Sequence, residues 1–90
     1  MYANKEEICR LMKTARGQID GLLKMVEDDR YCIDISNQIL STQALLGTIN
    51  VEVLSAHLDH CVRYAFEHGN TDDQEQKLKE LHSVLKRLSK

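Results

Sequence analysis

Apolar residues recur every three or four positions along most of the chain, which is the spacing of one face of an α-helix. The longest such stretch runs from Tyr31 to Phe66 and contains no proline and a single glycine, Gly47. Its apolar positions are Ile33, Ile35, Ile39, Leu40, Ala44, Leu46, Val51, Leu54, Leu58, Val62 and Ala65. This pattern predicts one long helix over about residues 31–67.

A shorter helix is predicted on each side of the long one. Asn4 and Glu7 have the spacing of a capping box, which opens a first helix over about residues 5–27. After it, residues 28–30 interrupt the apolar pattern. Because this linker is short, we expect the first two helices to form an antiparallel hairpin.

The third helix is predicted over about residues 72–89. Thr71 and Gln74 have the spacing of a second capping box at its start. Gly69, between the second and third helices, is expected to take the left-handed conformation that often ends a helix. Together the three patterns predict an all-α fold with three helices per chain.

The composition favours a small helical protein that oligomerises. Of the 90 residues, 42% are hydrophobic, 4% are aromatic and none is proline. A domain of this size buries only a limited core by itself. We therefore expect residues 1–90 to form a single domain whose long helices pair antiparallel, giving a dimer with a four-helix-bundle core.

The amino terminus carries Asn4, Lys5, Glu6 and Glu7 rather than the apolar region of a signal peptide. No window reaches about 18 uninterrupted apolar residues, as a membrane span requires. The three cysteines are an odd number, which predicts reduced thiols rather than a framework of disulfides. We therefore expect a cytoplasmic protein that does not enter a membrane.

The net charge of −2 gives no overall support for binding nucleic acid, so any such support must be local. The first helix has a basic side that lies opposite its apolar stripe. The residues on that side are Arg10, Lys13, Arg16 and Lys24. The basic side is either an ordinary solvated helix surface or a surface that contacts DNA phosphates.

Three potential metal ligands share one face of the long helix. At about 100° per residue, Cys32, His57 and Cys61 point within a few tens of degrees of each other. Cys32 and His57 are nevertheless about 37 Å apart along the axis, at about 1.5 Å per residue. If two copies of the helix pack antiparallel, Cys32 of one lies beside His57 and Cys61 of the other, and a dimer has two such sites.

Two thiolates and one imidazole suit Cu(I), or Zn(II) if a fourth ligand joins them. His57 and Cys61 are one helical turn apart, which is a spacing compatible with binding one ion. Tyr31 can donate a hydrogen bond to such a site. The alternative is that both cysteines are small packing residues, with His57 and Tyr31 at a subunit interface. The spacing alone leaves both interpretations open.

The motifs of common enzyme classes do not occur. The sequence contains no Glu-x-x-His or His-Glu-x-x-His pair, no glycine-rich phosphate loop and no nucleophile elbow. We therefore do not expect an enzyme.

Four short strings resemble the CsoR/RcnR family of metal-sensing bacterial repressors in their order and spacing. They are residues 16–21 (RGQIDG), 27–34 (EDDRYCID), 38–39 (QI) and 57–62 (HLDHCV). The resemblance covers about residues 5–66. It implies an all-helical dimer that pairs into a tetramer, binds operator DNA when metal-free, and releases the DNA when its inducer binds.

The chain resembles most the copper-sensing members of this family. By that resemblance, Cys32 of one subunit and His57 and Cys61 of the other hold Cu(I), with Tyr31 beside them. Persulfide sensors keep both cysteines but lack the histidine. Nickel and cobalt sensors have a histidine in place of Cys61, and formaldehyde sensors have a proline where this chain has Tyr2.

Two positions depart from the family pattern. Gln43 lies in the middle of the long helix, where the family usually has Arg or Lys, and Lys77 takes the place of a Glu that copper sensors tend to carry. DNA contact then falls mainly to the basic side of the first helix.

The leading prediction is a Cu(I)-responsive repressor of operator DNA that works as a homodimer or homotetramer. The alternatives are a persulfide-sensing or thiol-redox-sensing repressor of the same family, and a cytosolic metal-binding helical oligomer that does not bind DNA. The alternatives differ in whether DNA is bound and in whether a metal or an oxidant is sensed.

Overall fold

The computed structural model describes residues 1–69 and 71–88. It contains three helices, α1 (Lys5–Glu27), α2 (Cys32–His68) and α3 (Thr71–Leu88), and no strand within the described residues. The predicted all-α fold with three helices per chain is therefore confirmed. The predicted last residue of the third helix, Ser89, lies outside the described residues.

The capping residue of α1 is Asn4. Its side-chain oxygen accepts a hydrogen bond from the backbone N–H of Glu7 at 3.1 Å, which satisfies one of the unpaired donors at the start of the helix. Glu7 in turn accepts hydrogen bonds from the guanidinium of Arg10, and this contact lowers the pKa of the Glu7 carboxyl below its ordinary value. Glu7 therefore carries its negative charge beside the positive end of the helix.

The end of α1 is a turn that places Asp29 in the left-handed region, with φ of 52°. The backbone N–H of Asp29 donates to the carbonyl of Val26 at 3.1 Å, and that of Arg30 donates to the carbonyl of Met25 at 3.0 Å. This pair of bonds is a Schellman termination, in which glycine usually holds the left-handed position. Asp29 therefore occupies a position that suits glycine better.

We expect Asp29→Gly to raise the free energy of unfolding by about 1 kcal/mol, because a side chain in the left-handed region carries a steric cost that glycine avoids. Urea unfolding at matched protein concentration measures the difference. Asp28→Gly is the control, since φ of Asp28 is −87° and glycine there only adds freedom to the unfolded chain. An Asp29→Gly protein no more stable than the wild type contradicts this explanation of the turn.

The segment after α2 also depends on glycine, but for another reason. No glycine in residues 1–69 and 71–88 has a positive φ, so the left-handed conformation predicted for Gly69 is wrong. A Cβ at this position would lie 2.6 Å from the carbonyl oxygen of Ala65 and 2.9 Å from Cβ of Asp73. The Gly69 N–H donates to that same carbonyl at 2.8 Å. Close approach of the backbone therefore requires glycine here.

The chain divides into two compact units within α2. Asn4–Asn50 forms one unit, in which Thr42 of α2 donates a 2.8 Å hydrogen bond to the side-chain oxygen of Gln18 on α1. Met1–Ala3 and Val51–Lys90 form the other. The buried apolar residues of the first unit are Ile8, Ala15 and Ile49, and those of the second are Leu58, Ala65 and Val84. Each unit thus has a small core of its own.

Many large apolar side chains remain exposed in the single chain. On α1 they are Met12, Ile19, Leu23 and Val26, and on α2 they include Ile33, Ile39, Leu40, Leu46 and Val51. By length and composition α2 could cross a membrane, although a core helix of a soluble protein meets the same criterion. Apolar surface of this extent is typical of a surface that binds another macromolecule or a membrane.

Candidate metal centre

His57 and Cys61 form a close pair on α2. The Nε2 atom of His57 lies 3.5 Å from the Sγ atom of Cys61. The two residues are one helical turn apart, so their side chains lie on the same face of the helix. His57 is exposed, Cys61 is half-buried, and the thiol of Cys61 forms no disulfide. The pair can therefore be reached from solvent.

The separation of these two atoms fits a shared metal ion. Zinc lies about 2.3 Å from a thiolate sulfur and about 2.0 Å from an imidazole nitrogen, so an ion held by both at a tetrahedral angle separates them by about 3.5 Å. The observed 3.5 Å agrees with this value. A thiolate and an imidazole are also donors that soft and borderline metals prefer. His57 and Cys61 thus have the spacing of two ligands of one ion, and in the single chain the same two atoms are within hydrogen-bonding distance of each other.

Cys32, the third predicted ligand, is the first residue of α2 and an exposed free thiol. It belongs to the unit Asn4–Asn50, whereas His57 and Cys61 belong to the other unit. Among residues 1–69 and 71–88, no three His, Cys, Asp or Glu side chains of one chain lie together as a metal site. Within its described residues, the single chain therefore provides the His57–Cys61 pair but not a set of three ligands.

Tyr31 precedes Cys32 and caps α2 through its backbone. Its carbonyl oxygen accepts the N–H groups of Asp34 at 3.0 Å and Ile35 at 3.2 Å. The side chain is 68% exposed. The hydroxyl is therefore accessible for the hydrogen bond to the metal site that the sequence predicts.

Tyr2 is a residue that the sequence did not indicate for this region. Its ring stacks on the ring of His60, with centroids 3.8 Å apart and an angle of 15° between the planes. The same ring lies 5.9 Å from the ring of His57, tilted by 40°. No spacing rule connects residue 2 with residue 57, so only the folded structure could reveal this contact.

A hollow of about 390 Å³ lies beside Cys61. Its lining residues are Tyr2, His60, Cys61, Tyr64, Ala65, Asp73 and Lys77. Lys77 is half-buried and its Nζ atom lies 3.5 Å from a carboxylate oxygen of Glu80. A lysine and a carboxylate, those of Lys77 and Asp73, therefore both line the space next to this thiol.

The four basic residues predicted for DNA contact, Arg10, Lys13, Arg16 and Lys24, are all exposed on α1. Arg10 is paired with Glu7, which reduces the local positive charge. Lys24 lines a groove together with Asp28 and Arg30. Arg30, which follows α1, is a basic residue that the sequence did not indicate for DNA contact. The carboxylate of Asp28 offsets part of the positive charge of this groove.

The family model of metal-sensitive transcriptional repressors matches residues 4–87. The copper-sensing transcriptional repressor CsoR of Bacillus subtilis (strain 168) is 40% identical over 86 residues, which are 96% of this chain and 82% of that protein. The copper-sensing transcriptional repressor RicR of Mycobacterium tuberculosis is 32% identical over 93% of this chain and 86% of that protein. The matches thus extend over nearly the whole chain.

Two solved structures have the same fold. The copper-sensing repressor CsoR with Cu(I) from Geobacillus thermodenitrificans NG80-2 superposes with a TM-score of 0.80 at 42% identity, covering 100% of this chain and 94% of that one. The nickel-responsive transcriptional regulator InrS superposes with a TM-score of 0.79 at 25% identity, covering 98% and 96%. Both neighbours are metal-responsive regulators.

The fold and the His57–Cys61 pair define a small all-α protein with soft metal donors on its longest helix. The chain belongs to the family of metal-sensitive transcriptional repressors, the CsoR/RcnR family. Its close homologues are copper-sensing repressors, so the resemblance seen in the sequence is confirmed. Because this family regulates transcription, the expectation that the chain is not an enzyme is confirmed as well. Membership implies operator DNA binding and oligomerisation.

Proposed function

We propose that this protein is a Cu(I)-responsive transcriptional repressor, a single metal-sensing and DNA-binding domain over residues 1–90 that acts in the cytoplasm. In the metal-free state it binds operator DNA, and Cu(I) binding releases the DNA. The observation that carries the proposal is the His57–Cys61 pair, whose Nε2 and Sγ atoms are 3.5 Å apart in a chain 40% identical to a copper-sensing repressor.

Cys32 of one subunit completes the site with His57 and Cys61 of another. Three ligands suit Cu(I), whereas Zn(II) in proteins almost always takes four. Bound Cu(I) supplies a link between two thiolates and an imidazole on two subunits. Supporting this arrangement, both cysteines are free thiols and Cys32 is exposed at the start of α2.

The oligomer is an antiparallel four-helix-bundle dimer, and two dimers pair into a tetramer. Its support is the exposed apolar surface of α1 and α2, where Leu23 and Leu40 are 57% and 59% exposed in the single chain. A chain of 90 residues with two small cores gains stability by burying this surface against copies of itself. Such burial also explains why α2 is apolar enough to resemble a membrane span.

The exposed basic side of α1 contacts operator phosphates through Arg10, Lys13, Arg16 and Lys24. Gln43 is exposed on α2 but uncharged, so it adds no phosphate contact. For each phosphate that the protein neutralises, the slope of log affinity against log salt concentration becomes more negative by about 0.9. Binding should therefore weaken steeply with salt although the net charge of the chain is −2.

Cu(I) binding and DNA binding are coupled, which means that the metal-bound dimer has a lower affinity for DNA than the metal-free dimer. Thermodynamic linkage requires that DNA weaken Cu(I) binding by the same factor. Lys77, at the position where copper sensors tend to carry a Glu, lines the hollow beside Cys61 together with Asp73, so the side chains next to this ligand differ from the usual family pattern.

The test is an anaerobic titration of the reduced protein with Cu(I) against a competing chelator, with and without DNA from upstream of its own gene. We expect one Cu(I) per chain, release of the DNA, and weaker Cu(I) binding when DNA is present. A scrambled DNA fragment is the control. Tight Cu(I) binding without DNA release contradicts the repressor mechanism. Absence of tight binding, with DNA release on oxidation, favours a thiol sensor instead.

A further inference from the structure

We propose that Tyr2 is a positioning residue for the metal site, which holds the imidazole of His57 through ring contacts with His60 and His57. The inference deepens the proposed function and rests on His57 being a ligand. Its basis is the placement of the amino terminus against α2, which the sequence did not indicate. Tyr2 itself contributes no bond to the metal.

The contacts form a short chain of rings that ends at the candidate ligands. The Tyr2 and His60 rings are nearly parallel, at 15°, with centroids 3.8 Å apart. The Tyr2 ring then meets His57 at 5.9 Å and 40°, within the range of favourable aromatic contacts. Nε2 of His57 lies 3.5 Å from Sγ of Cys61. Tyr2 therefore contacts the imidazole whose nitrogen faces the thiol.

The grouping of the chain into compact units is consistent with the same placement. Met1–Ala3 belong with Val51–Lys90, although α1 begins only two residues later, at Lys5, and belongs to the other unit. Tyr2 also lines the hollow beside Cys61. The amino-terminal residues are thus part of the half of the chain that carries the His57–Cys61 pair.

Holding His57 matters because its side chain is exposed. An exposed imidazole on a helix can change rotamer, and a ligand that must be ordered when the metal binds lowers affinity. Partners that orient a metal-binding histidine raise the affinity for the metal. The Tyr2 ring is such a partner. Its stacking on His60 holds it beside the imidazole of His57, to which it makes a ring contact and not a hydrogen bond.

Tyr2 is also close in the sequence to the start of the basic helix. Ala3 alone separates Tyr2 from Asn4, the capping residue of α1. A change in the Tyr2 contact when His57 binds metal would therefore act on a residue two positions from that cap. Loss of Tyr2 should affect both Cu(I) affinity and the response of DNA binding to Cu(I).

We expect Tyr2→Ala to weaken Cu(I) binding by about threefold to tenfold, as judged from the strength of aromatic ring contacts. Tyr2→Phe should restore wild-type affinity, because stacking requires the ring and not the hydroxyl. His68→Ala is the control. His68 is also an exposed ring of α2 that stacks on a tyrosine, Tyr64 at 4.7 Å, but it is neither a proposed ligand nor a lining residue of the hollow beside Cys61. Its loss should leave Cu(I) affinity unchanged.

The arrangement is tested without metal by NMR of the reduced protein with labelled histidines. In the wild type and Tyr2→Phe, ring currents should shift the His60 imidazole protons upfield, and cross-peaks should join residue 2 to His57 and His60. Tyr2→Ala should lose the shift and also move the His57 signals, whereas His68→Ala should leave the signals of His57 and His60 in place. An unchanged His57 spectrum in Tyr2→Ala overturns the proposal.

The two kinds of failure can be told apart. If the wild type binds Cu(I) tightly and Tyr2→Ala binds it equally well, the role of Tyr2 is wrong and the proposed function stands. If the wild type does not bind Cu(I), the proposed function fails, and with it the role of Tyr2 at a metal site. Equal weakening by Tyr2→Ala and His68→Ala also overturns the proposal, since it indicates a general loss of packing around α2.

Discussion

Cys61→Ala is expected to weaken Cu(I) binding by more than about 100-fold, since it removes a ligand and mutation of a mere supporting partner already costs about 10–100-fold. Cys61 also completes the pair of ligands on α2, because its Sγ atom lies 3.5 Å from Nε2 of His57. Without it, His57 alone remains on that turn of α2. Anaerobic competition with a Cu(I) chelator measures the loss.

The control is Cys9→Ala. Cys9 is an exposed free cysteine on α1, in the unit Asn4–Asn50, and no ligand spacing includes it. We expect its loss to leave tight Cu(I) binding unchanged. A Cys61→Ala protein with wild-type affinity would show that the His57–Cys61 pair is not the metal site.

DNA binding gives a second measurement on the same variant. Cys61 is on α2, away in sequence from the basic side of α1, so metal-free Cys61→Ala should bind operator DNA as the wild type does. It should then stay on the DNA at Cu(I) concentrations that release the wild type. Loss of DNA binding in the metal-free variant would indicate that Cys61 supports the fold rather than the response.

The helices were predictable because their signals are local. Asn4 and Glu7 gave the start of α1, and the hydrogen bond between them is present in the structure. The apolar repeat gave α2 to within one residue at each end, over Cys32–His68. Helical spacing also brought His57 and Cys61 together correctly, because residues four apart on a helix face the same side.

The features that the sequence did not indicate depend on backbone conformation or on contacts between distant residues. The left-handed residue is Asp29 and not Gly69, since the turn after α1 uses a Schellman termination with aspartate. Glycine is needed at position 69 because a side chain there would collide with the carbonyl of Ala65, and this crowding is visible only in the folded structure. Tyr2 stacks on His60 across more than half the sequence length, and no periodicity relates those positions.

The assembly of the full ligand set is a question about two subunits, and mixed dimers answer it. In the proposed site, each Cu(I) takes Cys32 from one subunit and His57 with Cys61 from the other. A Cys32→Ala homodimer and a His57→Ala homodimer each lack a complete site. A heterodimer of the two variants should regain one complete site, since one interface keeps all three ligands and the other loses both mutated residues.

We expect this heterodimer, isolated with two different affinity tags, to bind one Cu(I) tightly per two chains, with an affinity close to that of the wild type and about 100-fold or more above either homodimer. The heterodimer of Cys61→Ala with His57→Ala is the matched control. Both substitutions affect the same half of the site, so each interface still lacks one ligand and no tight site should form.

The comparison of the two heterodimers separates the possible geometries. If all three ligands came from one chain, neither heterodimer would contain a complete site, because every chain carries a substitution. If His57 and Cys61 bound metal without Cys32, the Cys32→Ala homodimer would already bind tightly. Restoration in the first heterodimer and not in the second is therefore expected only when Cys32 acts across the subunit interface, which is the arrangement that two antiparallel copies of α2 provide.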